Sequence, residues 1–265
     1  MFLFQLALLA IIQGLTEFIP VSSSAHLILP AALIDGFEDQ GPLIDIAAHV
    51  GSLGAVLIYF RHESLRLFQG GLDAARFRST QNRRLFLLIA AATIPILLVG
   101  GVLAVTGIAD RLREPVVIAW ASIGFGVLLW FSDRQAVSRD HLPGSWRAAL
   151  VIGAAQALAV IPGTSRSGIT ITAARYLGFS RPEAARFSML LAIPTIAAFG
   201  LYAGIQIFEE GSAASVEAAL LVALFSLLSA WGAIAVFMRL AERTSFTPFV
   251  IYRIALGIVL LAIFI

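Results

Sequence analysis

Two short stretches of this sequence carry polar and ionisable side chains inside apolar surroundings. The first runs from Gln13 to His26 and holds an amide, a carboxylate, three adjacent hydroxyls and an imidazole: Gln13, Glu17, Ser22, Ser23, Ser24 and His26. The second begins at Gln156, and its polar part consists of Gly163, Thr164, Ser165, Arg166, Ser167 and Gly168. Both follow the order Gln, apolar segment, Ile-Pro, small residue, hydroxyls. Ionisable groups in membrane-like sequence are rare and usually functional, so we predict that the two stretches meet in one site.

The first stretch predicts metal binding or acid–base chemistry. Gln13 and Glu17 are four residues apart and would share one face of a helix. Glu17 could bind a divalent cation or move a proton, whereas Gln13 could only ligate or donate a hydrogen bond. At least one of the three serines is expected to cap a half-helix. His26 follows them closely, and we expect it to act as an acid or base or to activate a nucleophile.

The second stretch predicts an anion site. Glycines let the backbone approach a ligand closely, and backbone amides at the start of a half-helix favour anions. Arg166 adds a permanent charge on a planar fork that suits phosphate oxygens. Glu17 alone would repel a phosphate, so we expect Mg²⁺ or Ca²⁺ to bridge its carboxylate to the phosphate oxygens. A hydroxyl or a water molecule, activated by His26, would then attack phosphorus; Ser23 and water both stay open as the nucleophile.

Two further residues are second-tier site candidates. His49 lies inside the third apolar segment, where it could line a cavity or form a hydrogen bond between helices. Arg253 lies near one end of the last apolar segment, where an arginine is expected to extend its charged group to the membrane surface.

Composition predicts an all-α polytopic membrane protein that forms one domain over residues 1–265. Of its residues, 59% are hydrophobic and 13% are charged, whereas soluble domains have about 25% charged residues. Several apolar runs reach the roughly 20 residues that a membrane-spanning helix needs. The absence of cysteine excludes disulfides and thiolate chemistry. Every basic residue is an arginine and most lie in short loops, which is an orientation signal and argues against nucleic acid as a partner.

Six apolar segments are expected to span the membrane: 43–60, 85–107, 115–132, 187–207, 217–238 and 248–265. The segments on either side of the two polar stretches are too short to cross alone. We therefore predict that each polar stretch is the tip of a re-entrant helical hairpin, in preference to eight ordinary spans with polar kinks.

The distribution of arginine supports these hairpins. Four segments, 61–84, 133–147, 175–186 and 239–243, hold fourteen of the eighteen arginines and should all be cytoplasmic. They share one side only if the second polar stretch turns back. The first hairpin then opens outside, beside the arginine-free loop 35–42. This predicts an inverted-topology repeat, with repeat 1 at about 1–132 and repeat 2 at about 148–265, around a mid-membrane site.

The two polar motifs together resemble the undecaprenyl-diphosphate phosphatase family of the bacitracin-resistance type. The resemblance covers essentially the whole chain and includes the Phe-x-x-Tyr252-Arg253 segment. It implies a multi-pass enzyme of the bacterial inner membrane that hydrolyses C55 polyprenyl diphosphate to the monophosphate carrier of peptidoglycan synthesis, with a divalent cation. It also implies bacitracin resistance and a catalytic centre open toward the periplasm.

The resemblance further implies roles for individual residues. The family's serine–histidine pair corresponds to Ser23 and His26, and its phosphate-binding arginine corresponds to Arg166, with Ser165 and Ser167 beside it. The first position of the glutamate motif is Gln13 here, which leaves Glu17 as its only carboxylate.

Two other functions are considered. An inverted repeat with broken helices is also typical of transporters, so a flippase of polyprenyl phosphate is the main alternative. An intramembrane serine protease would leave Arg166 unexplained. The expected partners are the polyprenyl diphosphate substrate and membrane lipids, while the oligomeric state, including a homodimer, stays open.

Overall fold

The computed structural model describes residues 2–34, 37, 42–106, 112–210 and 216–265. Within these ranges the regular structure is helical, and the only β-type contact is an isolated bridge between Arg139 and Phe179. The described helices are α1 (Phe2–Glu17), α2 (Ser23–Leu33), α3 (Pro42–Tyr59), α4 (Arg61–Ala75), α5 (Gln81–Thr106), α6 (Pro115–Asp133), α7 (Trp146–Gln156), a 3-10 helix (Ala157–Val160), α8 (Arg166–Tyr176), α9 (Arg181–Glu210), α10 (Val216–Arg243) and α11 (Thr247–Phe264).

Five of these helices, α5, α6, α9, α10 and α11, are long and apolar enough to cross a membrane. The sixth candidate is α3, which continues into α4 through a bend of 97°. All six predicted spans are therefore present as helices, with bounds that differ from the expected ones by at most six residues. The chain is a multi-pass, all-helical membrane protein. Most of the expected outer loop 35–42 lies outside the described residues.

The basic segment 61–84 was expected to be a loop, and this expectation is wrong. The segment contains α4, a short connection at 76–80 and the first turn of α5. Gly70 of α4 lies so close to α5 that a β-carbon there would come within 2.1 Å of the Asn82 carbonyl oxygen. The basic residues of this segment suggested a loop, but one face of α4 still carries the apolar residues that a surface helix needs.

The two polar stretches form breaks between short helices. The 16 residues of α1 and the 11 residues of α2 flank the first break, and α7 and α8 flank the second with 11 residues each. None of these helices reaches the roughly 20 residues of a full span.

The helices around the two breaks pack in a regular way. Helix α1 packs on α10, α7 packs on α5, α3 packs on α10, and α6 packs on α11. The α1–α10 contact is close because of Gly14, where a β-carbon would lie 2.5 Å from the Ser226 carbonyl oxygen. These contacts pack the short helices α1 and α7 against long, apolar helices.

A buried carboxylate joins the helix ends at the arginine-rich side. Asp133, at the end of α6, accepts a hydrogen bond of 2.6 Å from Arg181 Nε and one of 2.9 Å from the Phe246 amide. Arg175 of α8 lies 3.7 Å from the same carboxylate and donates to the carbonyl oxygens of Asp133 and Gln135. The cluster therefore holds the ends of α6, α8 and α9 and the start of α11 together.

Candidate functional site

The structure brings the two polar stretches together through a charged contact. Arg166 Nη2 lies 3.2 Å from Glu17 Oε1, and both side chains are about nine-tenths buried. Glu17 is the last residue of α1 and Arg166 is the first residue of α8. The acid of one stretch and the base of the other therefore lie side by side.

The Glu17 carboxylate is held from three directions. Besides Arg166, Gln13 Nε2 donates to Glu17 Oε2 over 2.8 Å, one helical turn away. Ser23 Oγ donates to the same oxygen over 3.2 Å. Hydrogen bonds and a nearby cation favour the ionised form of a carboxyl group. Glu17 is thus a fixed negative charge that orients the Ser23 hydroxyl.

The two breaks also exchange hydrogen bonds. The amide of Gly163 donates to Ser24 Oγ over 3.0 Å. In return, Ser167 Oγ donates to the carbonyl oxygen of Ile19 over 3.0 Å. Each break therefore uses a serine hydroxyl to bind the backbone of the other.

Ser22 and Ser165 adopt matching and unusual backbone conformations. Each residue precedes a short helix, and their φ angles are 73° and 67°. A residue other than glycine in this region typically stores about 1–3 kcal/mol, and such strain persists where the surrounding structure fixes it. Ser165 caps α8, since its Oγ accepts from the Gly168 amide over 3.2 Å. Ser22 occupies the same position before α2 but makes no side-chain cap, so the expectation that one of the three serines of the first stretch caps a half-helix is wrong.

Arg253 binds the backbone of the second break. Its Nη2 donates to the carbonyl oxygens of Gly163 and Thr164 over 2.9 and 2.8 Å. Arg253 is 0% exposed, so the expectation that it reaches the membrane surface is wrong. The guanidinium instead donates to two carbonyl groups that have no helical partner where the helix is interrupted. Gly168 leaves room for it, because a β-carbon there would lie 2.7 Å from Arg253 Nη1.

His26 lies beside the first break but points to other partners. Its Nδ1 is 2.7 Å from the Ser22 carbonyl oxygen, and its Nε2 is 2.7 Å from the Tyr252 hydroxyl. The His26 and Tyr252 rings stack at 5.5 Å between centroids. Because a carbonyl oxygen can only accept, Nδ1 carries the proton and Nε2 accepts from the tyrosine. The structure thus joins His26 to Ser22 and Tyr252, and no hydrogen bond joins it to Ser23.

A cavity of about 630 Å³ lies over the junction of the two breaks. Its polar walls are formed by residues of several elements, namely Glu17, Ser22, Ser23, Ser24, Asp45, His49, Arg113, Gly163, Ser165, Arg166, Thr195 and Tyr202. Its apolar walls include Ile46, Ile96, Ile161, Ile196 and Phe199. His49 therefore lines the cavity, which is one of the two positions considered for it, whereas His26 is absent from the lining residues in the described part of the chain.

Sequence reasoning missed two charged residues of the cavity, Asp45 and Arg113. Asp45 lies one helical turn before His49 in an apolar helix, and an ionisable residue in such a helix is a recognisable signal. Arg113 lies just before a span, where its sequence position does not distinguish it from an ordinary flanking arginine.

Gln156 takes a structural position, although it begins the second stretch as Gln13 begins the first. Its Nε2 donates to the Ala92 carbonyl oxygen over 3.3 Å, and Thr195 donates to its Oε1 over 3.3 Å. It thereby joins α7 to α5 and α9. The sequence similarity between the two stretches does not extend to this side chain's role.

Several buried polar atoms of the site lack a partner among the described residues. They include Gln13 Oε1, Arg166 Nη1 and Thr164 Oγ1. A free guanidinium N–H suits an anionic oxygen, and a free amide oxygen suits a hard cation. The described residues contain no group of three or more His, Asp or Glu side chains that could hold a metal by themselves. The site therefore offers an unpaired guanidinium N–H that suits an oxyanion.

Comparison with known proteins finds one family model and several relatives that match nearly the whole chain. The family model for bacitracin resistance protein BacA matches residues 6–259. A relative from Maricaulis maris, named undecaprenyl-diphosphatase, is 49% identical over 100% of both chains. Relatives of the same name from Ruegeria pomeroyi and Jannaschia sp. are 48% and 46% identical over 99% of both chains. Since the family model covers both polar stretches, five candidate spans completely and most of the last one, this chain belongs to the bacitracin resistance protein BacA family.

Proposed function

We propose that this chain hydrolyses undecaprenyl diphosphate to undecaprenyl monophosphate and inorganic phosphate. This activity would return the lipid carrier to cell-wall synthesis and would confer resistance to bacitracin. The observation that carries the proposal is the contact of Arg166 with Glu17 on the wall of one cavity. The names of the three relatives support the same reaction.

Arg166 and the start of α8 are proposed to bind the terminal phosphate. Arg166 keeps Nη1 unpaired among the described residues while Nη2 contacts Glu17. Phe18 lies below the guanidinium, with the Arg166 Cζ 5.9 Å from the ring centroid, which restrains its plane. The amides that follow Ser165 add the partial positive charge of a helix N-terminus. Arg253, behind the loop, holds the carbonyl groups of Gly163 and Thr164 away from the anion.

Ser23 is proposed to lie next to the phosphorus under attack. Its hydroxyl is oriented by Glu17 and faces the same cavity as Arg166. The attacking oxygen is either Ser23 Oγ itself or a water molecule beside it. We propose that His26 acts by position, because its bond to the Ser22 carbonyl supports the strained turn that presents Ser23.

A divalent cation, Mg²⁺ or Ca²⁺, is proposed to be held by Glu17 and the free Oε1 of Gln13. Mg²⁺ is commonly bound through one or two carboxylates together with substrate phosphates and water. Glu17 lines the cavity, and the Oε1 of Gln13, which is buried beside it, is unpaired among the described residues. The cation would neutralise phosphate charge during the reaction.

The substrate's polyprenyl chain is proposed to leave the cavity along its apolar walls and extend among membrane lipids. Ile46, Ile96 and Phe199 form part of these walls. A polar pocket with an apolar side suits a headgroup whose tail stays in the bilayer.

We propose an inverted-topology repeat of six spans and two re-entrant hairpins. Three observations support it: the four short helices, the paired contacts α1–α10 and α7–α5, and the matching φ angles of Ser22 and Ser165. With the arginine-rich ends in the cytoplasm, the cavity opens toward the periplasm of a bacterial inner membrane. Asp45 at the start of α3 and Arg113 before α6 lie at the opposite ends of their helices from those arginines.

The proposal is tested by measuring phosphate release from undecaprenyl diphosphate by the purified protein in detergent, with and without Mg²⁺ or Ca²⁺. We expect metal-dependent release by the wild type and strong loss in Glu17→Ala and Arg166→Ala. Arg134→Met is the matched control, because Arg134 stacks on Trp130 outside the cavity. Absence of release by folded wild-type protein with either metal would overturn the proposal. The size of the protein in the same detergent distinguishes a monomer from a homodimer.

A further inference from the structure

His49 is an accessible imidazole in the cavity that the proposed reaction has not yet used. It lies on α3, one turn after Asp45, and lines the cavity together with Glu17 and Ser23. Its Nδ1 is 2.8 Å from the Asp45 carbonyl oxygen. Since that oxygen can only accept, Nδ1 carries the proton and Nε2 keeps its lone pair. Within the described residues Nε2 has no hydrogen-bond partner, so it is free to take a proton.

The other groups in the cavity are poorly suited to this task. Glu17 is paired with Arg166 and accepts from Gln13 and Ser23, and these contacts stabilise its ionised form and weaken it as a base. The Nε2 lone pair of His26 is already occupied by the Tyr252 hydroxyl.

We infer that His49 Nε2 is the base that removes a proton from the water molecule that attacks the terminal phosphorus. This inference rests on the proposed phosphatase function and adds a catalytic residue to it. An imidazole suits the role because its ordinary ionisation lies near neutral pH.

The step is balanced in either route for the nucleophile. The water oxygen forms a bond to phosphorus, its proton moves to Nε2, and the bond from phosphorus to the leaving oxygen breaks with its electron pair on that oxygen. In direct attack the leaving oxygen belongs to undecaprenyl monophosphate, and His49 later loses the proton to solvent. In the other route Ser23 Oγ first attacks the terminal phosphorus, and undecaprenyl monophosphate leaves with the electron pair and takes the hydroxyl proton. Water then attacks the phosphorylated Ser23, and the leaving oxygen, Ser23 Oγ, takes the proton from His49. Both routes consume one water molecule, so both need this base.

Charged groups around His49 come from each neighbouring element. Glu17 on α1 is close enough for its charge to interact with that of His49. Arg166 at the start of α8, Arg113 before α6 and Tyr202 on α9 line the same cavity.

Two further helices contact α3. Helix α10, which packs along α3, has Glu217 in its first turn. Helix α4 continues from the opposite end of α3 and begins with Arg61, His62 and Glu63. On α3 itself, Asp45 precedes His49 and its side chain faces the cavity.

The test is the pH dependence of kcat for phosphate release by the wild type, His49→Gln and His26→Gln between pH 5 and 9. We expect the wild-type rate to fall on the acidic side, because a general base must be unprotonated to act. His49→Gln should lower kcat by about 10²-fold or more and lose this acidic limb. His26→Gln should keep the limb. His141→Gln is the control for loss of an imidazole elsewhere, since His141 lies in the 133–147 segment and outside this cavity.

The outcomes separate the inference from the proposed function. A wild type that releases no phosphate overturns the function and the inference with it. An active wild type without an acidic limb overturns the inference alone, whether or not the variants fold. Retention of the limb by His49→Gln, or its loss in His26→Gln, also overturns it. Recovery of His49→Ala by added imidazole would support it, because only a proton-transfer role is restored in this way.

Discussion

Ser24 accepts a hydrogen bond from the amide of Gly163, which lies 139 positions further along the chain. Ser167 returns the contact by donating to the Ile19 carbonyl oxygen. The break between α1 and α2 and the break between α7 and α8 are thus joined through backbone groups, in addition to the charged contact of Glu17 with Arg166. A site assembled in this way depends on hydroxyl groups that carry no charge.

Ser24→Ala should therefore destabilise the protein. The variant removes the acceptor of the Gly163 amide, and an unsatisfied buried donor costs about 1–3 kcal/mol. Thermal unfolding in detergent should show a lower midpoint, together with reduced phosphate release. Thr106→Ala is the control, because among the described residues the Thr106 hydroxyl bonds only to carbonyl groups of its own helix. Equal midpoints for the two variants would contradict the role assigned to Ser24.

Arg166 variants should separate charge from shape. Arg166→Met should lower kcat/KM by about 10²–10³-fold, as expected for loss of one preorganised donor to a transition-state oxygen. Arg166→Lys should recover only part of this loss, because it keeps the charge without the planar fork. The measurement is initial-rate kinetics with undecaprenyl diphosphate. Full activity of Arg166→Met would remove Arg166 from the phosphate site.

Glu17→Gln should alter the metal requirement. The substitution keeps the shape of the side chain and removes the negative charge that a divalent cation needs. We expect the Mg²⁺ concentration for half-maximal activity to rise. Ser23→Ala is the matched variant, since it removes a hydrogen bond to Glu17 and leaves the carboxylate in place, so its residual activity should keep the wild-type Mg²⁺ dependence. An unchanged Mg²⁺ titration in Glu17→Gln would place the cation elsewhere.

Asp133→Asn should lower stability without changing the catalysis of folded molecules. Asp133 is buried and pairs with Arg175 and Arg181, and removing one partner of a buried ion pair costs about 3–5 kcal/mol. The cluster lies at the arginine-rich helix ends, away from the cavity. Unfolding in denaturant should separate this variant from Asp140→Asn, which changes an exposed residue. A lower kcat under conditions where all molecules are folded would show that the cluster also holds the catalytic site in place.

The six spans could be predicted from sequence because each is a long apolar run, and hydropathy alone determines such a helix. The basic segment that forms α4 was missed, since a helix at a membrane surface mixes charged and apolar residues and does not resemble a span.

The site could be predicted only in part. The meeting of Glu17 and Arg166 follows from two similar motifs, each with a group that needs a partner at membrane depth. The orientations of His26 and His49 could not be predicted. The rotation of α2 and of α3 about its own axis decides whether the imidazole on that helix faces the cavity. The burial of Arg253 was equally hidden, since it depends on two carbonyl groups of a loop 90 and 89 positions away.

The bend of 97° between α3 and α4 also bears on how deeply the protein lies in the bilayer. If α3 crosses the bilayer, α4 runs along its surface, and Leu65, Phe68 and Leu72 are exposed on one side of it. An amphipathic helix in this position rests at the boundary between headgroups and acyl chains. The protein then resists sliding along the membrane normal, and the distance from this boundary to Arg166 is built into the bundle. The thickness of the bilayer then determines how far a lipid diphosphate must move from the plane of the headgroups to reach the cavity.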